Sequence, residues 1–96
     1  MTYTEIVETM HHYRIANAQR YPIVRLGIFG SVARDQFKDA SDVDVVVELE
    51  EPDLFMLIAI KQELEELLQR PVDIVRYRPQ MNQELKRRID SEAVYV

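Results

Sequence analysis

Apolar positions recur along this chain with two different periods. In TYTEIVETMHHYRIANAQR, Ile6, Met10, Tyr13 and then Ala16 or Asn17 fall at helical spacing. Thr4 offers an N-cap oxygen, and Pro22 stands where such a helix must stop. IVRLGIF is a short β-rich run ending at Gly30, and SVARDQFK fits a helix of two turns at most. DVDVVVEL is β-branched and mostly apolar, the pattern of a strand buried on at least one face. Pro52-Asp53 opens the longest helix. Its apolar stripe is Leu54, Leu57, Ile58, Leu64, Leu67 and Leu68, with Glu63, Glu65 and Glu66 on a solvated face. Arg70-Pro71 ends that helix, and VDIVRY follows as a third strand. Pro79 precedes a basic helix, QMNQELKRRID, and AVYV is a last extended piece. The order α-β-α-β-α-β-α, with a candidate terminal strand, predicts a mixed α/β (α+β) fold in which helices flank a small mixed β-sheet.

Totals narrow the class. Ninety-six residues without repeat, linker or low-complexity stretch predict a single domain, 1–96, with a modest core. At 47% apolar and 30% charged residues, the composition is that of a globular protein. The chain has no cysteine, which excludes disulfide scaffolds and thiolate metal sites. No apolar run reaches membrane-span length and MTYTEIVETMHHYR has no signal core, so a soluble, cytoplasmic protein with no membrane partner is expected. A net charge of -5 argues against direct nucleic-acid binding. The charge is uneven, however. Arg76, Arg78, Lys86, Arg87 and Arg88 face a single acid, Glu84, over one short stretch.

The chemistry concentrates in FGSVARDQFKDASDVDVVVELE. Residues two apart on a strand share a face, so Asp42 and Asp44 are expected side by side. Like charges that close repel and raise each other's pKa, and Mg2+, which prefers hard oxygen ligands, relieves this. Asp73, between Val72 and Ile74, joins them if the third strand lies beside the second. Three carboxylates can hold the paired metals of an in-line displacement at phosphorus. Gly30 lets backbone approach a ligand closely, and Ser31 opens a helix whose free N–H groups and hydroxyl suit phosphate. Each piece alone is a common structural feature; the combination and order carry the inference.

Gly30-Ser31, ten residues, then Asp42-Val43-Asp44 resembles the nucleotidyltransferase signature of the polymerase-beta superfamily. GSVARDQFKDASDVDVVV is similar to the minimal nucleotidyltransferases (MNT), small antitoxins that pair with HEPN-domain toxins. The resemblance extends over nearly the whole chain, including VDIV with Asp73 and the closing LKRRIDSEAVYV. It implies a nucleotidyltransferase (polymerase-beta-like) fold and transfer of AMP from ATP to a tyrosine hydroxyl of a HEPN toxin partner. Carried over, Gly30 and Ser31 hold the β- and γ-phosphates. Asp42 and Asp44 bind two Mg2+ ions, and Asp73 completes the catalytic metal site and helps deprotonate the hydroxyl. Arg34 matches the family's arginine and is expected at the phosphates or in a surface ion pair. One residue departs from the pattern: Asp35 stands where many relatives have glycine, and it is expected to face solvent.

Two other functions compete. In one, the domain silences a toxin by occlusion alone, for which the aspartates are dispensable; in the other, it modifies a small-molecule hydroxyl, which usually requires an added acceptor domain. The small size favours a folded protein acceptor, docked partly on the Arg76–Arg88 stretch. His11 and His12, adjacent on a helix, do not share a face and are not a metal pair. Tyr77 and Tyr95 are assigned to surface or packing.

Overall fold

A computed structural model describes all residues, 1–96. Helix α1, Tyr3–Ala16, is capped two residues before the expected position. Thr2, not Thr4, is its N-cap, in a capping box: Thr2 Oγ1 accepts from the Glu5 N–H at 3.1 Å and Glu5 Oε1 accepts from the Thr2 N–H at 2.8 Å. It ends at Ala16, well short of Pro22, because Asn17 caps it with its own backbone and side-chain donors on the Tyr13 carbonyl. Ile6, Met10 and Tyr13 are its buried face, as their spacing requires.

Strand β1 is Ile23–Phe29, followed by α2, Gly30–Ala33, a single turn where up to two were expected. The turn stops because Asp35 takes a left-handed conformation, φ 56°. That backbone suits glycine, and aspartate is among the residues that tolerate it. Asp35 is exposed, as expected. Strand β2 is Val43–Leu49, α3 is Leu54–Leu68, β3 is Val72–Arg76, α4 is Gln83–Glu92 and β4 is Val94–Tyr95. The sheet order is β3-β2-β1-β4, with β2 and β3 parallel and the other pairs antiparallel. The mixed sheet flanked by helices is therefore the architecture.

Alternation along the strands divides the sheet into two unequal faces. On one, Leu26, Ile28, Val43, Val45, Val47 and Val72 pack under α1 and under Ile60, Leu64 and Leu68 of α3. On the other, α4 covers a smaller cluster, Phe29, Val46, Met81 and Ile89. Asp44 and Asp73 belong to this second, partly covered face, in step with Val46 and Val75.

The stripe expected on α3 is only partly its buried face. Leu64 and Leu68 are buried, but Leu54, Ile58 and Leu67 are exposed, and the buried Ile60 was not among the expected residues. The run LFMLIAI is apolar all round, so periodicity did not choose a face there. Two of the three glutamates are also not simply solvated. Glu65 pairs with Lys61 at 2.9 Å and accepts from the Val72 N–H at 2.9 Å, fastening the start of β3 to α3.

Glu63 accepts from Tyr13 Oη at 2.8 Å, Tyr21 Oη at 2.9 Å and Arg20 Nη2 at 3.2 Å, tying the end of α1 to α3. Partial burial pushes this carboxyl up, but the two phenol hydrogen bonds and the arginine outweigh it, and its pKa lies below the ordinary glutamate range. An acid whose folded pKa is depressed contributes stability that is fully present above its unfolded pKa. That contribution is lost as pH falls through the folded value. Glu63→Gln is thus expected to cost about 1–2 kcal/mol at neutral pH, discounted for partial exposure. Thermal melts at pH 7 and in acid check this: the gap between wild type and variant should close on acidification. An equal gap at both pH values would show that the charge is immaterial.

Candidate active site

Burial explains where the acids can stand. Val43, Val45 and Val47 fill the α1/α3 core, which turns the even-numbered residues of β2 to the other face. Asp44 sits at the end of that face, two residues before the buried Val46. Its register partner on β1 is Phe29 and on β3 is Asp73, so two carboxylates stand opposite each other on adjacent strands. Asp42 lies one residue before β2 begins and is exposed, so it is not part of the strand as expected. The Val43 N–H, held by the Pro71 carbonyl at 2.9 Å, marks where pairing starts.

Half-burial pushes the Asp44 carboxyl up, Asp73 adds to this, and Asp42 adds less; Arg88 and Arg34 pull it part of the way back. These oxygens therefore stand in a field of negative charge that the arginines only partly relieve, the donor chemistry that a hard divalent cation fits. No three acidic or imidazole side chains converge at metal-ligand spacing, so the fit is that of an Asp44–Asp73 pair with Asp42 nearby rather than a closed cage.

Gly30 follows β1 directly, with φ 71°. A Cβ at Gly30 would fall on Asp44 Oδ2, so the turn and the carboxylate are in intimate contact. Ser31 is half-buried, and its hydroxyl has no hydrogen-bond partner within the chain. Arg34 caps α2 and pairs through Nη1 with Glu92 at 3.1 Å, the ion-pair alternative, while still acting on Asp44. The structure thus brings Gly30, Ser31, Arg34, Asp44 and Asp73 to one end of the sheet.

Two neighbours were not singled out from the sequence. Arg88 lies with its guanidinium 5.9 Å from the Phe29 ring centroid and is the foremost positive influence on Asp44. Glu92 accepts from the Gly30 N–H at 3.1 Å. Both stand on α4 one helical turn apart, in a stretch whose charge masked their individual directions. Their i, i+4 spacing puts both on one helix face but does not name the partner they meet.

Known proteins resemble this chain over most of its length. The model of a nucleotidyltransferase domain matches residues 13–96. The chain belongs to the nucleotidyltransferase family. Among curated relatives, the protein adenylyltransferase MntA of Thermococcus cleftensis is 32% identical over 97 residues, covering 100% of this chain and 97% of the relative. A Methanocaldococcus jannaschii protein assigned as a protein adenylyltransferase is 42% identical over 78 residues, 80% of this chain and 83% of its own. A solved structure assigned as a minimal nucleotidyltransferase superposes with TM-score 0.76 at 32% identity, covering 98% of this chain and 95% of the other. A tri-AMPylated HEPN toxin of Shewanella oneidensis in complex with MNT antitoxin gives TM-score 0.65 at 17% identity, over 91% and 66% of the two chains, a likeness of fold. No helix of this nucleotidyltransferase is long and apolar enough to cross a membrane.

Proposed function

We propose that this nucleotidyltransferase is the antitoxin of a HEPN/MNT pair and silences its toxin by transferring AMP from ATP to a toxin tyrosine, in a Mg2+-dependent reaction. The observation that carries this is the opposition of Asp44 and Asp73 beside the Gly30-Ser31 turn. The relative named MntA supports the protein acceptor. The fold likeness to toxin–antitoxin complexes, one of them with AMP-PNP, supports the toxin partner and ATP.

In this reading the Ser31 hydroxyl and Arg34 hold the β- and γ-phosphates, and Arg88 adds positive charge near Asp44. Asp42, Asp44 and Asp73 would hold Mg2+, which when bound supplies charge neutralisation on the phosphate oxygens and acidifies the attacking hydroxyl. Asp73, exposed at the rim, takes the hydroxyl proton as the tyrosine oxygen bonds to the α-phosphorus. The bond from the α-phosphorus to the bridging oxygen breaks, and pyrophosphate leaves in line. Arg76 and Arg78, on β3 and just beyond it, make no ion pair and offer an acidic toxin face a place to dock.

Intact-mass spectrometry of the purified toxin, incubated with this protein, ATP and Mg2+, tests the proposal. A gain of one or more AMP units, on a tyrosine located by fragmentation, is the expected result. A toxin silenced with no gain in mass would instead establish occlusion.

A further inference from the structure

Strand β4 is too short to cover the end of β1. It pairs Val94 with Ile28 and Tyr95 with Gly27, and its backbone then turns into α4 at Ala93. The next N–H along this edge, that of Gly30, would be left without a partner. Glu92, the last residue of α4, fills the gap with a side chain: its Oε2 accepts from the Gly30 N–H at 3.1 Å. Its other oxygen, Oε1, receives Arg34 Nη1 at 3.1 Å. One carboxylate thus brackets both ends of α2, while the Arg34 N–H closes the same turn internally on the Gly30 carbonyl at 3.1 Å. On its far side, Gly30 rests against the Asp44 carboxylate.

We propose that Glu92 is a positioning residue, which holds the Gly30-Ser31 turn and the Arg34 guanidinium in register with Asp44 for the phosphates of the nucleotide. This rests on the reading of Ser31 and Arg34 as phosphate ligands. Glu92 holds the site without filling it. The Gly30 N–H it occupies lies along the β4 edge, the Ser31 hydroxyl stays free, and Arg34, which also donates Nε to Gln36 Oε1 at 3.4 Å, keeps Nη2 unpaired with its side chain 44% exposed. A guanidinium has five donors in a fixed plane, so anchoring one nitrogen orients the rest. Helix α4 therefore addresses the site twice, through Arg88 and through Glu92, and any partner that shifts α4 shifts the phosphate turn with it.

The test compares wild type with Glu92→Ala and Glu92→Gln by KM for ATP, kcat with the toxin, and amide hydrogen exchange at Gly30 in nucleotide-free protein. Glu92→Ala should raise KM about tenfold or more, the scale of effect seen for residues that orient ligating groups, and should speed Gly30 exchange. Glu92→Gln retains an acceptor for Gly30 but not the charge on Arg34. It should keep Gly30 protected with an intermediate KM, and it stands in if the alanine variant does not fold. Arg34→Ala should weaken ATP binding less in the Glu92→Ala background than alone, since the two act as one unit. Unchanged KM and exchange would overturn the proposal. So would a lowered KM, which would make Glu92 a competitor of phosphate. If wild type itself takes up no ATP, the nucleotide reading fails, and Gly30 exchange still decides whether Glu92 holds the turn.

Discussion

Asp44→Asn is expected to abolish nucleotidyl transfer and at the same time to make the nucleotide-free protein more stable. Both effects come from the same placement. Asp44 is half-buried, faces Asp73 across the β2–β3 pair and lies near Asp42, and its pKa is raised by burial first and by these neighbours next. An acid whose folded pKa is raised binds its proton more tightly in the native state than in the unfolded chain. Stability then falls as pH rises through the window from the unfolded to the folded value, and at neutral pH the ionised group is a net cost. The amide removes that cost while keeping the shape, so the melting midpoint should rise by a few degrees. The gain should vanish in acid, where wild-type Asp44 is also neutral. Transfer loses a ligand for charge neutralisation at phosphorus, worth several kcal/mol; about 4 kcal/mol corresponds to about a thousandfold in rate. A further check uses the midpoint alone. Mg2+ with ATP should raise it for wild type and much less for the variant, since only a ligand that binds the native state stabilises it. A variant that transfers AMP at the wild-type rate would remove Asp44 from the mechanism.

The parts of this fold that sequence made legible are those with one dominant physical cause. β2 had to be a strand because its β-branched run is buried on one face and interrupted by Asp44 on the other. α1 showed its buried face because Ile6, Met10 and Tyr13 recur at helical spacing, although the exposed Ala16 and the capping Asn17 continue the same spacing. Ambiguity arose where two causes gave the same letters. In α3, LFMLIAI has apolar residues on every side, and only packing against β2 and α1 selects Ile60 over Ile58 and Leu54. Thr2 and Thr4 are equally good caps, and reciprocity with Glu5 decides for Thr2. The site divides in the same way. Gly30-Ser31 and the aspartates were visible as a motif, but the motif is local. Glu63, Arg88 and Glu92 act on partners far away in sequence, Tyr13, Asp44 and Gly30, and a charged residue's spacing says nothing about such partners. The adjacency of β2 and β3 that brings Asp73 to Asp44 was a conditional inference. It holds because β3, returning from α3 by a crossover, lies parallel on the free edge of β2.

Gly30→Ala should be the most damaging single-methyl change in the molecule, and for a reason that separates shape from charge. The backbone at Gly30 has φ 71°, where an L-residue is disfavoured by about 1–2 kcal/mol. The added Cβ would also fall on Asp44 Oδ2 and lie 3.2 Å from Asp44 Cγ. The strain cannot be relieved by moving Gly30 toward β4, because its N–H is engaged by Glu92 on that side. The group that gives way is the Asp44 side chain, which must rotate away from Gly30 and leave its place at the phosphate turn. The variant should therefore fold, with a midpoint lower by about 4–8 °C per kcal/mol of strain for a chain of this size. Transfer should fall at least about a hundredfold, the scale for a displacement of roughly 1 Å at the reacting centre. Gly27→Ala supplies the comparison. Its Cβ would meet the Val94 carbonyl oxygen at 2.7 Å and push against β4, so it should cost stability without touching Asp44 directly. Equal losses of transfer in the two variants, at matched stability, would show that general loosening of β1 explains both. A deficit confined to Gly30→Ala, with Mg2+ and ATP no longer raising its midpoint, would tie the loss to the displaced carboxylate.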